Sequence, residues 1–341
     1  MGTAICVVGA GGWGTALAIL LAQKHGQVRL WVRNPEYAKE MAARRENSLY
    51  LPGVQLPPGV QLFSDLGQAL TGAEVVVSAV PAQATRELAR RMRDFLAPEA
   101  VVVSVSKGLE KGTHQRMTEV LKEELPSRFH SRLVVLSGPN HAEEVARNIP
   151  SATVVASHDR ALARKIQELF MTPSFRIYTN ADVVGVETGG ALKNIIALAS
   201  GISDGLGFGD NTKAALMTRG LAEITRLGMS MGAHPLTFVG LSGMGDLIAT
   251  CTSKHSRNAR AGKEIGQGKK LEEVLAGTRM VVEGVWTTVA AYELARQRGV
   301  EMPITEKVYQ VLFAGQNPRE AVSHLMERDP TFEEASYPGY T

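Results

Sequence analysis

The stretch Ala4–Gly14, AICVVGAGGWG, decides the fold of the amino-terminal half of the chain. It joins a short apolar run, typical of a buried β-strand, to glycines in the spacing G-x-G-x-x-G, and a helix-patterned segment follows directly. In that context Gly9 permits a tight turn, Gly11 lets a pyrophosphate approach the backbone, and Gly14 lets helix and strand pack closely. The sequence therefore predicts a dinucleotide site at this loop. A glycine-rich turn without a ligand is the alternative.

The first half of the chain repeats this alternation of strand and helix. From residue 4 to about 180, short β-branched runs alternate with longer helical patterns, which predicts a doubly wound parallel sheet of the Rossmann type. Helices are expected at Trp13–His25 and at Pro35–Arg45, the second capped by Asn34. The Gly/Pro-rich stretch Leu51–Gly59 is interpreted as an excursion before the third strand. The seven predicted strands are Ala4–Val8, Val28–Val32, Val75–Ala79, Val101–Val105, Leu133–Leu136, Ala152–Ala156 and Phe175–Tyr178.

The character of the sequence changes after about residue 182. Long Ala/Leu/Ile-rich segments punctuated by glycine replace the β-branched runs, which predicts a mostly α-helical second domain. A chain of 341 residues also favours two domains over one. We therefore expect a dinucleotide-binding domain at 1–182 and a helical substrate-binding domain at 183–341, ending in a loose tail at 329–341.

Composition excludes several classes of protein. The chain has 37 basic and 34 acidic residues, too balanced for a generic nucleic-acid-binding surface. Two cysteines, Cys6 and Cys251, give no disulfide framework. No signal peptide, transmembrane stretch or metal-binding motif is recognisable, so we expect a cytoplasmic protein without a metal.

The end of the second strand bears on the choice of coenzyme. An NAD-specific site usually has Asp or Glu there to bind the ribose 2′-hydroxyl, whereas this chain has Arg33 followed by Asn34. An arginine suits a 2′-phosphate, so NADPH is favoured over NADH. A surface arginine without a ligand is the alternative.

Two further strand ends carry candidate groups for a substrate site, because open parallel sheets bind ligands beyond the carboxyl ends of their strands. Lys107 follows the strand Val101–Val105, and its alternative interpretation is a solvated loop lysine. The segment Ser137–Ala142 follows the next strand and offers backbone amides, although an ordinary turn before a helix fits it equally well.

The second half places polar groups in apolar or glycine-rich surroundings. Lys193 and Asn194 interrupt the apolar helical stretch Glu187–Leu198, and burial of an unpaired ammonium lowers its pKa. Asp246 is a candidate partner for a lysine, and Lys254–Arg260 concentrates donors where a helix begins, which suits a phosphate monoester. The alternatives are a lysine that extends to solvent and a solvated basic turn.

Taken together, these segments resemble the bacterial-type NAD(P)-dependent glycerol-3-phosphate dehydrogenases over about residues 4–325. The segments that carry the resemblance are Gly9–Gly14, Tyr50–Gly53, Val80-Pro81, Ser106–Gly108, Ser137–Pro139, Gly190–Asn194, Gly245–Leu247 and Ser256–Asn258.

The resemblance implies specific roles for residues of this chain. Lys193 would be the acid/base group, with Lys107 and Asp246 as further catalytic residues. The implied cofactor contacts are Gly9, Gly11, Gly12, Trp13, Gly14, Arg33, Lys107, Ala142, Arg257, Val281 and Glu283. The implied substrate contacts are Lys107, Gly138, Asn140, Lys193, Asn194, Asp246, Thr250, Ser256, Arg257 and Asn258. Gly12 and Asn140 depart from the family pattern, which usually has serine at the first position and serine or threonine at the second.

The implied activity is reduction of dihydroxyacetone phosphate by NADPH or NADH to sn-glycerol 3-phosphate for phospholipid synthesis, by a homodimer. Two rival interpretations stay open at this point. One is a reductase of similar architecture that acts on a hydroxy acid, and the other is a non-catalytic NADPH-binding sensor, which would not need Lys107, Lys193 and Asp246.

Overall fold

The computed structural model describes residues 3–330, 332 and 333. The chain forms two compact units, Met1–Ser106 with Met117–Val183, and Lys107–Arg116 with Val184–Thr341. The segment Lys107–Arg116, which the expected division after residue 182 left with the first half, thus belongs to the second unit. Most of the predicted tail, residue 331 and residues 334–341, lies outside the described residues.

The first unit, here called the sheet unit, is built on an eight-stranded sheet in the order β3-β2-β1-β4-β5-β6-β7-β8. Its strands are β1 Ile5–Val8, β2 Val28–Trp31, β3 Val60–Phe63, β4 Val75–Ser78, β5 Val101–Ser104, β6 Leu133–Ser137, β7 Ser151–Ala156 and β8 Phe175–Asn180. Its helices are α1 Gly12–His25, α2 Pro35–Arg44, α3 Leu66–Leu70, α4 Thr85–Met92, α5 Met117–Glu124, α6 Ala142–Val145 and α7 Arg160–Phe170. Short 3₁₀ turns lie at Ala82–Ala84 and Ser127–Arg132.

The predicted Rossmann-type fold class is confirmed, with two corrections to the sheet. The strand β3 was not predicted, because it directly follows the Gly/Pro-rich stretch Leu51–Gly59, which was interpreted as an excursion before the next predicted strand. The sheet is also not wholly parallel, since β6 and β7 pair antiparallel, with Leu136 opposite Val155. The remaining neighbours, including β7 and β8, pair parallel.

Helices cover both faces of the sheet, as the alternation of strand side chains requires. Val7 and Val77 point into a core closed by α1, α2 and α7, while Val8 and Val76 point into a core closed by α3, α4 and α5. Strand order reverses where β1 lies between β2 and β4, and ligands of open α/β sheets bind at such a switch point.

The second unit, here called the helical unit, confirms the predicted helical half. Its helices are α8 Val183–Gly205, α9 Asp210–Ser230, α10 Pro235–Val239, α11 Asp246–Thr252, α12 Arg257–Gly266, α13 Leu271–Ala276, α14 Glu283–Arg298, α15 Pro303–Phe313 and α16 Pro318–Met326, with a π turn at Leu241–Gly245. None of the helices within the described ranges is long and apolar enough to cross a membrane.

Glycines bring the backbones of α8 and α12 into direct contact. A Cβ built on Gly201 would lie 2.0 Å from the Ala259 carbonyl oxygen, and one on Gly262 would lie 2.2 Å from the Leu198 carbonyl oxygen. Such approaches exclude any side chain, so these glycines set the helix spacing. The start of α12 is thereby held against the middle of α8, where Lys193 and Asn194 lie.

Candidate active site

The glycine loop between β1 and α1 has the geometry that the motif predicts. Gly9 adopts φ +115°, which favours glycine, and a Cβ there would lie 2.7 Å from the Ala79 carbonyl oxygen. A Cβ on Gly14 would lie 2.0 Å from the Gly9 carbonyl oxygen, so strand and helix touch at that glycine. Around Gly11, by contrast, a Cβ would meet nothing within 4 Å. The open side of the loop is therefore at the second glycine, where a pyrophosphate is expected to approach.

The amino terminus of α1 is suited to an anion. Its cap residue Gly11 offers no side-chain hydrogen bond, and the first turn contains no acidic residue. The first backbone N–H groups of a helix lack partners within the helix and carry partial positive charge. The loop therefore fits the diphosphate of a dinucleotide.

Residues beside the loop explain one departure from the family pattern. A Cβ on Gly12 would lie 2.7 Å from the Tyr50 carbonyl oxygen and 3.6 Å from the Cβ of Ala142. The Tyr50 backbone therefore occupies the place of a side chain at position 12. Trp13 is half-buried and contacts Phe175 edge-on, with ring centroids 6.5 Å apart, so it also packs the unit.

The end of β2 presents Arg33 to solvent, and its side chain is exposed. The next residue, Asn34, is used locally, because its Oδ1 accepts hydrogen bonds from the backbone N–H groups of Glu36 at 2.9 Å and Tyr37 at 3.1 Å. This capping confirms the predicted start of α2 and leaves Arg33 as the cationic side chain at this strand end.

Gly138 and Asn140 follow β6 in the sheet unit. A Cβ on Gly138 would lie 2.7 Å from Oγ1 of Thr153, so glycine is required by packing against β7. The Asn140 side chain donates from Nδ2 to the Ala152 carbonyl at 3.0 Å, and its buried Oδ1 has no hydrogen-bond partner. That oxygen is free to accept a hydrogen bond from a ligand hydroxyl.

The helical unit brings three predicted catalytic residues into one buried cluster. Asp246, at the start of α11, has one carboxylate oxygen 3.0 Å from Nζ of Lys193 and the other 2.7 Å from Nζ of Lys107. The exposed fractions of the side chains are 2% for Asp246, 8% for Lys193 and 17% for Lys107. Two ammonium groups thus share one carboxylate, and Lys107 is the more accessible of the two.

Burial and charge set the protonation of this lysine cluster. Desolvation lowers the pKa of Lys193 from 10.5 to about 8; Asp246 opposes that shift and Lys107 reinforces it. Burial alone would raise the pKa of Asp246, but the two ammonium groups outweigh it and hold the pKa below its usual value. Asp246 is therefore a carboxylate at neutral pH, and Lys193 is close to the pKa that suits a proton donor and acceptor.

Thr250 lies one turn after Asp246 on α11. Its hydroxyl accepts a hydrogen bond from Nζ of Lys193 and donates one to the Asp246 carboxylate at 3.2 Å. Thr250 therefore orients the lysine and belongs to the same cluster.

Two side-chain amides connect the cluster to its scaffold. Nδ2 of Asn194 donates to the Lys107 carbonyl at 3.2 Å, and Nδ2 of Asn258 donates to Oδ1 of Asn194 at 2.8 Å. Oδ1 of Asn258 in turn accepts from the backbone N–H of Gly284 at 2.9 Å. Through these bonds Asn194 and Asn258 fix the backbone of Lys107, and each amide keeps a second donor and a second acceptor position for the substrate contact that the resemblance implies.

The predicted phosphate cradle lies at the start of α12. Ser256 is buried and caps the helix, its Oγ accepting from the backbone N–H of Ala259 at 3.2 Å, while Arg257 is exposed at the first helical position. Val281 and Glu283 lie half-buried at the start of α14. The start of α12 at Arg257 confirms the prediction that a helix begins within the segment Lys254–Arg260.

Sequence reasoning missed the residues that hold the segment Lys107–Arg116 on the helical unit. Arg116 forms an ion pair with the buried Glu187 at 2.6 Å, and Nε2 of His114 lies 2.8 Å from the Glu293 carboxylate. Lys111 lies over the Trp286 ring at 5.4 Å. The only sequence signal was the acidic Glu187 near the start of the apolar stretch that contains Lys193, and it did not indicate a partner.

Comparison with known proteins gives a consistent result for both units. Models of the N-terminus and C-terminus of NAD-dependent glycerol-3-phosphate dehydrogenase match residues 4–163 and 182–323. A glycerol-3-phosphate dehydrogenase [NAD(P)+] of Pelotomaculum thermopropionicum is 59% identical over 96% of this chain and 94% of its own length. One of Geobacillus thermodenitrificans is 58% identical over 95% and 94%. The crystal structure of glycerol-3-phosphate dehydrogenase from Coxiella burnetii superposes with a TM-score of 0.91 at 38% identity, covering 96% of this chain and 99% of that one. The resemblance is confirmed, and the chain belongs to the NAD-dependent glycerol-3-phosphate dehydrogenase family.

Proposed function

We propose that this protein catalyses the reversible, NAD(P)H-dependent reduction of dihydroxyacetone phosphate to sn-glycerol 3-phosphate. The observation that carries the proposal is the buried cluster of Lys193, Asp246 and Lys107 in a chain of this family. A binding protein without chemistry gains nothing from two ammonium groups held around one buried carboxylate, since burying charges is costly. The cluster therefore favours an enzyme over a sensor.

The sheet unit would hold the cofactor. Gly9, Gly11 and Gly14 shape the loop, and the amino terminus of α1 faces the diphosphate. Arg33 would pair with the 2′-phosphate of NADPH, which makes NADPH the preferred coenzyme and NADH the weaker one. The remaining proposed contacts of the cofactor are Gly12, Trp13, Ala142, Lys107, Arg257, Val281 and Glu283. When bound, the reduced nicotinamide supplies a hydride for the substrate carbonyl carbon.

Lys193 would act as the proton donor. As an ammonium it donates a proton to the oxygen that becomes negative when the C2 carbonyl is reduced, and as a neutral amine it removes that proton in the reverse direction. Lys107 would stabilise the same developing charge. Asp246 keeps both ammonium groups in place, and Thr250 fixes the direction in which the Lys193 proton points.

The start of α12 would bind the substrate phosphate. Arg257 supplies a guanidinium beside the backbone N–H groups of the helix, which together match a phosphate monoester. Ser256, Asn258 and Asn194 are the further proposed substrate contacts of the helical unit, and Gly138 and Asn140 are those proposed in the sheet unit. A carboxylate substrate would use these donors less fully, which favours the phosphorylated ketone over a hydroxy acid.

The proposed biological setting follows from the resemblance. The product is a precursor for phospholipid synthesis, and we propose that the enzyme works in the cytoplasm as a homodimer. Light scattering on the purified protein tests the dimer, because a monomer mass at micromolar concentration would contradict it.

The reaction itself is tested by following NADPH oxidation at 340 nm with dihydroxyacetone phosphate as substrate. Unphosphorylated dihydroxyacetone and 2-ketoacids serve as controls that retain a carbonyl but lack the phosphate. We expect rapid oxidation with the phosphorylated ketone alone. Equal rates with a ketoacid would contradict the proposed substrate, and no oxidation with any of them would contradict the proposed enzyme.

A further inference from the structure

A fully buried asparagine, Asn47, lies behind the glycine loop in the sheet unit, with an exposed fraction of 0%. Its Nδ2 donates to the Ala10 carbonyl at 2.9 Å and to Oγ1 of Thr15 at 2.7 Å. Its Oδ1 accepts from the Tyr37 hydroxyl at 2.6 Å and from the backbone N–H of Tyr50 at 3.2 Å.

These four hydrogen bonds use the whole capacity of the side chain. A carboxamide has two N–H donors and one oxygen that accepts two bonds, and each is satisfied here. The Ala10 carbonyl can only accept, so the amide orientation is fixed by its partners. Replacing a buried side chain whose hydrogen bonds are all made lowers stability, because its partners are left without bonds. Such a side chain also fixes the positions of the groups it bonds to.

The four partners come from different elements that surround the proposed cofactor site. Ala10 lies inside the glycine loop, Thr15 in the first turns of α1, Tyr37 in α2 and Tyr50 in the segment whose carbonyl lies over Gly12. Asn47 therefore links the loop that would hold the diphosphate to the helix that follows Arg33.

We propose that Asn47 is a positioning residue for the dinucleotide, which holds the glycine loop in its binding conformation through the Ala10 carbonyl. The inference rests on the proposed function, since it assigns Asn47 to the cofactor site named there. Asn47 is not itself a contact of the cofactor. Because the diphosphate is common to both coenzymes, loss of the bond to the Ala10 carbonyl lowers the affinity for NADPH and for NADH by the same factor.

The variant Asn47→Asp isolates the bond to the Ala10 carbonyl. A carboxylate still accepts from Tyr37 and Tyr50 and can accept from the Thr15 hydroxyl, but it has no N–H for Ala10 and sets a negative oxygen against that carbonyl. We expect the Kd of both NADPH and NADH to rise by about tenfold or more, because a bond of this kind is lost and a buried repulsion is added. Fluorescence of the bound reduced nicotinamide measures both constants without any substrate.

A pH series provides a readout that general loss of stability would not give. Burial raises the pKa of a carboxyl group, and a protonated carboxyl regains one donor for Ala10 or Thr15. The affinity of Asn47→Asp for NADPH, relative to that of the wild type, should therefore recover as the pH falls from about 8 to about 6.

Matched variants separate positioning from folding. Ile166→Val removes one methylene from the buried core beside α7, and it should lower the Tm while leaving both Kd values unchanged. Asn47→Ser is measured in parallel, as a smaller side chain without the added charge, and it should also weaken both coenzymes. Steady-state kinetics should show a larger rise in the KM for NADPH than fall in kcat.

The outcomes distinguish this inference from the proposed function. If the wild type binds NADPH and either folded Asn47 variant binds both coenzymes with wild-type Kd values, Asn47 has no positioning role. A selective loss of NADPH affinity alone would also overturn the inference, because it would place Asn47 at the 2′-phosphate. If the wild type itself binds neither coenzyme, the proposed function fails first.

Discussion

The glycine loop and the lysine cluster differ in the groups they use, since the loop is an uncharged site for an anion and the cluster is a set of buried charges. The loop binds an anion with uncharged backbone groups. The glycines that this geometry requires are neighbours in the sequence, between Gly9 and Gly14. The cluster buries two ammonium groups and a carboxylate that come from positions 107, 193 and 246. A backbone site is thus local in sequence, whereas a charge site is assembled by folding.

The two regions should also differ in their response to pH and substitution. Helix N–H groups do not titrate near neutral pH, so binding at the loop is expected to vary little there. The lysine cluster contains a group with a pKa of about 8 and should therefore control the pH dependence of turnover. Variants of one region should leave the other intact.

The largest effect is expected for Lys193→Met, which keeps the apolar stem and removes the ammonium. Loss of the proton donor should lower kcat by about 10³-fold, within the range known for general acids. The Kd for NADPH should stay at the wild-type value, because the loop is unchanged. Lys263→Met, at an exposed position on α12, is the matched control and should retain wild-type turnover. Undiminished kcat in folded Lys193→Met would remove the lysine from the chemistry.

A second prediction concerns Asp246→Asn and the pH profile. Reduction requires the ammonium form of Lys193, so kcat/KM for dihydroxyacetone phosphate should decline above about pH 8 in the wild type. Asp246 raises the pKa of Lys193, and removing its charge should lower that pKa further. We expect activity to fall by about 100-fold and the alkaline decline to begin at lower pH.

Kinetics of Asp246→Asn from pH 6 to 9 check this prediction. An alkaline limb at the wild-type position would show that another group titrates. A circular dichroism melt is needed beside the kinetics, because leaving two buried cations without their carboxylate costs about 3–5 kcal/mol of stability.

The contrast explains how far the sequence alone was informative. Local patterns predicted these features: the glycine motif predicted the loop and the start of α1, and the pair Asn34-Pro35 predicted the cap of α2. Each depends on residues a few positions apart. Lys193 was recognisable as a cation in an apolar helix. Its two partners were not determined by the sequence, since nothing local to Lys107 or Asp246 specifies which distant charge they meet.

The errors in the fold have the same origin. β3 lies at the edge of the sheet and pairs only with β2, and only its first residue is buried, so its apolar pattern is weak. The direction of β7 cannot be deduced from side-chain alternation, which is identical in parallel and antiparallel strands. The place of Lys107–Arg116 in the helical unit depends on the pairs Arg116–Glu187 and His114–Glu293, whose partners lie far along the chain.

A third prediction tests the phosphate cradle of the helical unit. Arg257→Ala should raise the KM for dihydroxyacetone phosphate by about 30-fold, since a charge-assisted hydrogen bond contributes about 1.5–3 kcal/mol. Lys263→Ala removes an exposed cation six residues further along α12, outside the cluster Lys254–Arg260, and serves as the control. An equal change in both variants would indicate general attraction of the substrate anion, and an unchanged KM in Arg257→Ala would exclude Arg257 from the phosphate site.

The smallest effect is expected at the edge of the sheet unit, for Arg33→Ala. Loss of the guanidinium should lower the affinity for NADPH by about tenfold and leave the affinity for NADH unchanged, because only NADPH carries the 2′-phosphate. The effect is small because an exposed ion pair is screened by solvent. Arg44→Ala, on the same unit at the end of α2, is the control for net charge. Fluorescence titration of both coenzymes at two salt concentrations gives, for each variant, four ratios of its Kd to that of the wild type. If Arg33→Ala also loses affinity for NADH, Arg33 supports the glycine loop and does not select the coenzyme. If the wild type binds both coenzymes equally well, the end of β2 does not select NADPH.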